Sequence, residues 1–194
     1  GAGSGGLRIL LGDGDGAFAP APGPAMDVVD ARAIAVADLD GDGRDDLVLG
    51  GATDTTVRRG NADGTTSEAG TLPGVATEIV VLSLGGPEPV SVAYIDPVLS
   101  GIRIVLDPTE GATSATRVPI TPPPISIVPG DVNADGRADL IVTTEEGTQA
   151  LVGDGAGHLA PPVPVPGGGG SARPVFGDFD GDGIPDWMFG PAYP

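Results

Sequence analysis

A nine-residue acidic loop occurs three times in this chain and constrains its fold more than any other feature. The copies are DLDGDGRDD at residues 38–46, DVNADGRAD at 131–139 and DFDGDGIPD at 178–186. All three fit the pattern D-x-D/N-x-D-G-x-x-D. In such a loop the odd positions face inward and their oxygen atoms converge on one hard cation, while the glycine at position 6 permits a sharp turn. An all-oxygen, carboxylate-rich ligand set favours Ca²⁺ over softer metals.

The pattern also predicts which residues bind the ion. Positions 1, 3, 5 and 9 supply carboxylate or amide oxygens, and position 7 supplies its backbone carbonyl, so the residue type there is free to vary. The predicted ligands are Asp38, Asp40, Asp42, Arg44 and Asp46 in the first loop, Asp131, Asn133, Asp135, Arg137 and Asp139 in the second, and Asp178, Asp180, Asp182, Ile184 and Asp186 in the third. One copy could be a solvated acidic turn, but three copies in register predict three Ca²⁺ ions per chain.

The loop begins like an EF-hand but does not end like one. An EF-hand needs a bidentate glutamate at position 12 and a helix leaving the loop. Position 12 is Leu49, Val142 or Phe189 here, and the residues around it form short apolar runs that end at glycine or threonine. Such runs are typical of buried strands. The sequence therefore predicts a metal loop between two β-strands.

Composition narrows the fold class and the possible partners. The 194 residues include 34 Gly and 21 Pro, which separate short Val/Ile/Leu runs and predict an all-β chain with many turns. No apolar stretch is long enough to span a membrane, so we expect no membrane insertion. The formal charge of −18 argues against nucleic acid and anionic membranes as partners. The chain has no cysteine, which excludes a disulfide framework and a thiol nucleophile.

A second recurrent element reveals a repeat. An apolar strand followed by a Gly/Asp turn recurs with turns beginning at residues 12, 60, 107 and 153, a period of roughly 47 residues. The same period requires a metal loop near residue 84, where the sequence is SLGGPEPVS (residues 83–91). This degenerate loop keeps its flanking strands but has lost its ligands. We expect that unit to keep its fold and to bind no metal.

The period predicts a β-propeller, because four short strands in about 47 residues are typical of one blade. Residues 1–6 are predicted to be a flexible leader and residues 7–194 a single domain of four repeats. The fourth repeat ends before its turn. We therefore expect the N-terminal strand, Leu7–Leu11, to complete the last blade, which would remove two exposed sheet edges.

The metal loops, together with the LLGDGDGAF turn at residues 10–18, resemble the FG-GAP/VCBS repeat family, which includes the β-propeller of integrin α subunits. The resemblance covers about residues 7–194 and implies Ca²⁺ at the three loops. It also implies a role in adhesion or ligand binding outside the cell. Family members often have seven blades, so the four repeats leave two expectations open: a small closed ring, or chains that combine into a larger ring or an open array.

We therefore expect a calcium-stabilised extracellular module, secreted or on the cell surface, that is not an enzyme and serves in binding, adhesion or scaffolding. The protein or glycan ligand is not specified, and a homo-oligomer or filament could form through the half-repeats. The alternatives are a calcium-dependent lectin, with Tyr94 and Tyr193 as sugar platforms, and an accessory domain of a secreted enzyme. His158 lies in a repeat turn, where we expect an exposed turn residue rather than a general base. Asp13 and Asp15 similarly suggest hydrogen-bonded turn chemistry.

Overall fold

The fold is entirely β over the part of the chain that the computed structural model describes, which is residues 6–23, 26, 30–85, 90–109, 112, 115–168 and 173–189. These residues include no helix, and so none that could cross a membrane. The strands are β1 (Leu10–Gly12), β2 (Phe18–Pro20), β3 (Ala33–Ala37), β4 (Asp46–Gly50), β5 (Thr55–Gly60), β6 (Thr66–Leu72), β7 (Glu78–Leu82), β8 (Ser91–Asp96), β9 (Gly101–Val105), β10 (Thr116–Pro119), β11 (Pro124–Gly130), β12 (Asp139–Thr144), β13 (Gly147–Leu151), β14 (Val163–Pro164), β15 (Val175–Gly177) and β16 (Asp186–Met188).

The strands form three complete sheets flanked by two hairpins. β3 to β6, β7 to β10 and β11 to β14 each make a four-stranded antiparallel sheet in chain order, whereas β1 with β2 and β15 with β16 form two-stranded sheets. In every complete sheet the loop of the metal-type repeat connects the first strand to the second, and the Gly/Asp turn connects the third to the fourth. The predicted repeat of four short strands is therefore seen in three units.

The apolar core lies between consecutive sheets. Strand β8 shows this arrangement most clearly, because successive side chains of a strand point to opposite faces. Its Val92 and Tyr94 pack with the first sheet, while Ala93 and Ile95 pack with the third sheet. All six residues of β8 are buried. The second sheet is thus covered on both faces, which explains its nearly continuous run of apolar residues.

The second sheet has four strands although the loop between its first two strands carries a degenerate sequence. Residues 83–85 and 90–91 of this loop are described, and residues 86–89 lie outside the described part. The expectation that this unit keeps the fold agrees with the observed β7–β10 sheet. The leader predicted at residues 1–6 lies outside the description except for Gly6.

The N-terminal strand differs from its prediction. It comprises Leu10–Gly12 rather than Leu7–Leu11, and it pairs with β2, its neighbour in sequence. Leu10 and Leu11 are 56% and 41% exposed instead of buried, because no second sheet covers them. Within the described residues β1 and β16 belong to separate sheets. Within the described residues the predicted four-stranded final blade is thus seen as two separate hairpins, and closure of the ring stays a prediction.

Candidate metal loops

The aspartate at position 1 organises each loop by accepting backbone hydrogen bonds. In the first loop, Oδ1 of Asp38 accepts from Gly41 N at 2.8 Å, and Oδ2 accepts from Gly43 N at 2.9 Å. Asp178 accepts the equivalent bonds from Gly181 and Gly183 at 2.6 and 3.0 Å. Asp131 accepts from the amides at positions 5 and 6 of the second loop. Because these bonds close within nine residues, the loop conformation is set locally.

Positions 4 and 6 need a left-handed backbone. The φ angles at position 6 are 83° at Gly43, 78° at Gly136 and 85° at Gly183. Position 4 is also left-handed, with a φ of 76° at Gly41 but 58° at Ala134, where a Cβ atom makes the conformation costly. The pattern predicted the glycine at position 6. The requirement at position 4 was missed, although glycine at residues 41 and 181 was the signal for it.

The loops bring carboxylates together. Asp38, Asp40 and Asp42 each place a carboxylate oxygen within 4.8 Å of the others, and so do Asp178, Asp180 and Asp186. The cluster in the first loop does not include Asp46, and the cluster in the third loop does not include Asp182. In the second loop position 3 is an amide, Asn133, whose Nδ2 donates to Asp135 Oδ2 at 3.0 Å. These oxygen donors fit a hard divalent cation such as Ca²⁺, since such ions prefer carboxylate and amide oxygens.

The aspartate at position 9 makes additional contacts in the first and third sheets. Oδ2 of Asp46 accepts from Leu39 N at 3.1 Å, and Oδ1 accepts from Gly60 N, at the end of β5, at 2.8 Å. Asp139 accepts the same pair of bonds, from Val132 N at 2.8 Å and Gly153 N at 2.7 Å. Both carboxylates are buried. Position 9 therefore joins the metal loop to the turn of the same repeat.

The third loop lacks half of that connection. Asp186 accepts from Phe179 N at 2.9 Å, the equivalent of the Leu39 contact. Among the described residues, the β15–β16 sheet has no third strand to supply an equivalent of Gly60 N, and Asp186 is only half-buried. Its carboxylate instead joins the cluster with Asp178 and Asp180. The same loop sequence thus meets two different environments.

Cations surround the first loop but not the third. Arg44 pairs with Asp42, and Arg59 Nε lies 3.5 Å from Asp40 Oδ2. The described residues place no arginine in an ion pair with the third loop, where position 7 is Ile184. Repulsion between the carboxylates of the third loop is therefore left to solvent or a bound cation.

The turns of the repeat are stabilised by aspartates, as predicted for Asp13. Its Oδ1 accepts from the backbone of Asp15 and Ala17 at 2.9 and 3.0 Å, and these bonds hold the pKa of Asp13 below its ordinary value. Asp154 repeats the arrangement with Ala156 and His158, which lower its pKa in the same way. The side chain of His158 is 76% exposed, as expected for a turn residue.

The aromatic residues correct one part of the lectin hypothesis. Tyr94 is fully buried and donates its hydroxyl to Pro73 O at 2.6 Å, so it cannot be a sugar platform. Tyr193 lies outside the described residues. Trp187 packs against Phe176 and Phe189, with ring centroids 5.9 and 6.1 Å apart. These ring contacts account for the aromatic residues that follow the third loop.

Sheets of four antiparallel strands, repeated along the chain with a loop after the first strand that is acidic in two of the three complete repeats, define an all-β repeat protein. The family model of the FG-GAP-like repeat matches residues 1–49 and 131–189, which is more than half of the chain. The chain therefore belongs to the FG-GAP-like repeat family. The stretch between the two matched segments contains the second sheet and its degenerate loop.

Other comparisons add structural similarity. No curated protein matches the sequence. Among solved structures, a chain of the Photorhabdus luminescens Tc holotoxin pore, in a mutant form, is similar with a TM-score of 0.46 and 20% sequence identity. The match covers 94% of this chain and 10% of that chain, so this chain spans about a tenth of the toxin chain.

Proposed function

We propose that the chain is a calcium-stabilised, non-catalytic module that acts outside the cell in binding, adhesion or scaffolding. The observation that carries this proposal is the convergence of three carboxylates in the first loop and again in the third, on the same hydrogen-bonded backbone. Gathering like charges within 4.8 Å is unfavourable unless a cation offsets them, and a bound metal ion would do so for both clusters, beyond the arginines that pair with Asp42 and Asp40 in the first. Oxygen-ligand sites of modest affinity are filled most readily in extracellular fluids, where calcium is abundant.

Three ions are expected per chain, one in each intact loop. The side chains at positions 1, 3 and 5 would hold the ion together with the carbonyl at position 7. Position 9 would complete the site, most directly at Asp186, whose carboxylate already lies in the cluster. A bound ion would fix the connection between the first two strands of a repeat. The role of the metal is then structural: it stiffens the repeat that presents a binding surface.

The proposal includes closure of the two end hairpins into one blade. The order β15-β16-β1-β2 would repeat the strand order of the three complete sheets. Apolar side chains exposed on both hairpins support this pairing: Leu10 and Phe18 are 56% and 70% exposed, and Phe179 and Met188 are 62% and 53% exposed. Pairing would cover part of this surface and satisfy two open edges. Closure within one chain gives a four-bladed ring, whereas pairing between chains gives an assembly.

Titration calorimetry on chelated protein tests the calcium proposal. We expect a stoichiometry close to three, with Asp135→Ala reducing it by one. Glu145→Ala, which changes an exposed carboxylate outside the loops, serves as the charge-matched control and should leave three sites. A stoichiometry of four would mean that residues 83–91 also bind the ion, and no binding would refute the proposal.

Closure is tested by removing residues 1–18. Hydrogen exchange should then show loss of protection around Trp187 if β1 pairs with the C-terminal hairpin of the same chain. An added peptide of residues 6–20 should restore that protection. The mass of the intact protein in solution, measured with and without calcium, separates a closed monomer from an assembly. Loss of protection confined to residues 30–60 would contradict pairing with the C-terminal hairpin.

A further inference from the structure

A cavity of about 380 Å³ lies between the N-terminal hairpin and the first sheet. The hairpin extends beyond β1 and β2, because Leu7 and Met26 exchange backbone hydrogen bonds of 3.0 and 2.8 Å. Two contacts fasten it to the first sheet. Thr66 Oγ1 lies 3.3 Å from Met26 Sδ, and the side chain of Leu11 lies directly over Gly64. The cavity lies beside these two contacts, between the hairpin and the sheet.

Two arginines line the cavity. Arg58, on β5, is half-buried, and its guanidinium is held by Thr66: Nε donates to Oγ1 at 2.9 Å and Nη2 donates to the carbonyl at 3.2 Å. Arg8 is exposed on the opposite wall. Neither arginine forms an ion pair with any carboxylate in the described part of the chain. Within the described part of the chain, the remaining N–H donors of both guanidinium groups have no acceptor and can meet a ligand.

A cavity wall without carboxylates among its described residues is unusual for this acidic protein. The chain has 27 acidic residues and 9 basic ones. Among the described residues that line the cavity there is no aspartate or glutamate. The rest of the wall is apolar or neutral, and includes Leu7, Ile9 and Pro22. A positive site in a strongly negative protein selects for an anion, and the apolar wall selects for an anion with an aliphatic body.

We propose that this cavity binds an organic carboxylate that carries a small aliphatic group. A guanidinium group presents two parallel N–H donors that match the two oxygens of a carboxylate. The volume suits a ligand of about the size of an amino acid or a short peptide end, near the lower limit for small-molecule pockets. The carboxylate can come from the C-terminus of a peptide or from a free aliphatic acid. The proposal supplies a ligand class for the binding module.

The test is an NMR titration of the full chain with N-acetyl-leucine and, separately, with N-acetyl-leucinamide. N-acetyl-leucine should shift the backbone amide resonances of residues 7–9, 21, 23 and 64–66, and N-acetyl-leucinamide should not. Two further probes distinguish the source of the carboxylate. Tighter binding of the tripeptide Ala-Ala-Leu than of hexanoate assigns a peptide C-terminus, while equal binding assigns a free acid. Either result supports a carboxylate site.

Substitutions identify the contacts. Arg8→Gln and Arg58→Gln should each weaken binding of N-acetyl-leucine about tenfold, since each removes a charge-assisted hydrogen bond. Arg32→Gln is the matched control: it removes the same charge from an exposed arginine that does not line the cavity, and it should change the affinity less than about twofold. Arg8 holds no partner in the described residues, so its variant should keep the fold even if Arg58→Gln destabilises the sheet.

Three results would overturn the proposal. These are equal binding of the acid and the amide, equal weakening by Arg8→Gln and Arg32→Gln, and resonance shifts confined to other parts of the chain. Binding of inorganic phosphate without binding of any carboxylate probe would also contradict it. Each titration is run with calcium and again with chelator, so that failure of the carboxylate site is distinguished from failure of the calcium proposal.

Discussion

The first and second sheets connect their first two strands with loops of different sequence. In both, a loop joins the first strand to the second within a four-stranded antiparallel sheet. The first sheet uses the acidic loop 38–46, and the second uses the degenerate loop 83–91. The two loops differ most clearly in the hydrogen bonding of the side chain at position 9. Asp46 accepts two backbone hydrogen bonds, whereas the equivalent Ser91 is buried and its Oγ has no hydrogen-bond partner in the described residues.

The second sheet is stabilised by contacts that do not involve its loop. Both of its faces are covered by neighbouring sheets. Arg103 Nε donates to the buried Asp96 at 2.6 Å, and Tyr94 donates to Pro73 O. The comparison therefore separates two roles within the acidic loop. In the first loop, positions 1, 3 and 5 bring three carboxylates together, while position 9 connects the loop to the third strand of its own sheet. A sheet that is buried on both faces can lose both roles and still form.

Calcium removal should have the largest effect, and it should affect the three acidic loops much more than the degenerate loop. A ligand that binds only the folded state adds about 2.7 kcal/mol per site when its concentration is a hundred times its Kd. We expect a chelator to lower the melting temperature and to increase hydrogen exchange in the three acidic loops. Exchange at residues 83–85 should hardly change. Asp42→Ala and Asp182→Ala should each reproduce part of the loss, and an unchanged melting curve would show that calcium is not structural.

Truncation to alanine should have a large effect at Asp46 and almost none at Ser91, the two residues at position 9. Asp46→Ala leaves two buried N–H groups without acceptors, and we expect the free energy of unfolding to fall by about 3 kcal/mol. Ser91→Ala removes a hydroxyl without a partner and should change it by less than about 0.5 kcal/mol. Denaturant unfolding in chelator measures both. If the cost of Asp46→Ala disappeared in chelator, Asp46 would act only through the metal.

Alkaline pH should destabilise the protein through the second sheet. Burial raises the pKa of Tyr94 to about 12. The protonated phenol is favoured in the folded state, so its contribution is complete below the ordinary pKa of 10.0 and is lost as pH rises from there through 12. The chain has no lysine or cysteine, so few other side chains titrate in this range. We expect a loss of roughly 2 kcal/mol that Tyr94→Phe abolishes. An unchanged pH dependence in that variant would contradict this assignment.

The smallest effect should come from position 4 of the acidic loops. Ala134→Gly relieves a left-handed backbone but loosens the unfolded chain, so we expect a net gain of about 0.5 kcal/mol. Gly41→Ala is the reciprocal variant in the first loop, where a Cβ atom would meet no neighbour within 4 Å. It should therefore destabilise through backbone strain alone. Thermal unfolding measures both variants, and equal signs would show that strain at position 4 is not the cause.

Local patterns predicted the parts of the fold that close over short distances. Strands on both sides of each acidic loop followed from apolar runs such as DLVLG, and the turn at Asp13 followed from its recurrence at Asp154. The prediction of Leu7–Leu11 as a buried strand was wrong, because burial requires a partner sheet that the sequence of a strand does not specify. The burial of Tyr94 was missed for the same reason.

The sequence by itself determined the three acidic loops, the turn glycine at their sixth position and the repeat of about 47 residues. These follow from hydrogen bonds and side-chain alternation within a few residues, which do not depend on the rest of the chain. The tertiary structure decided the contact from Asp46 to Gly60, the burial of both faces of the second sheet and the arginine-lined cavity. Each of these joins segments that are distant in sequence, and their approach depends on how whole sheets and hairpins pack.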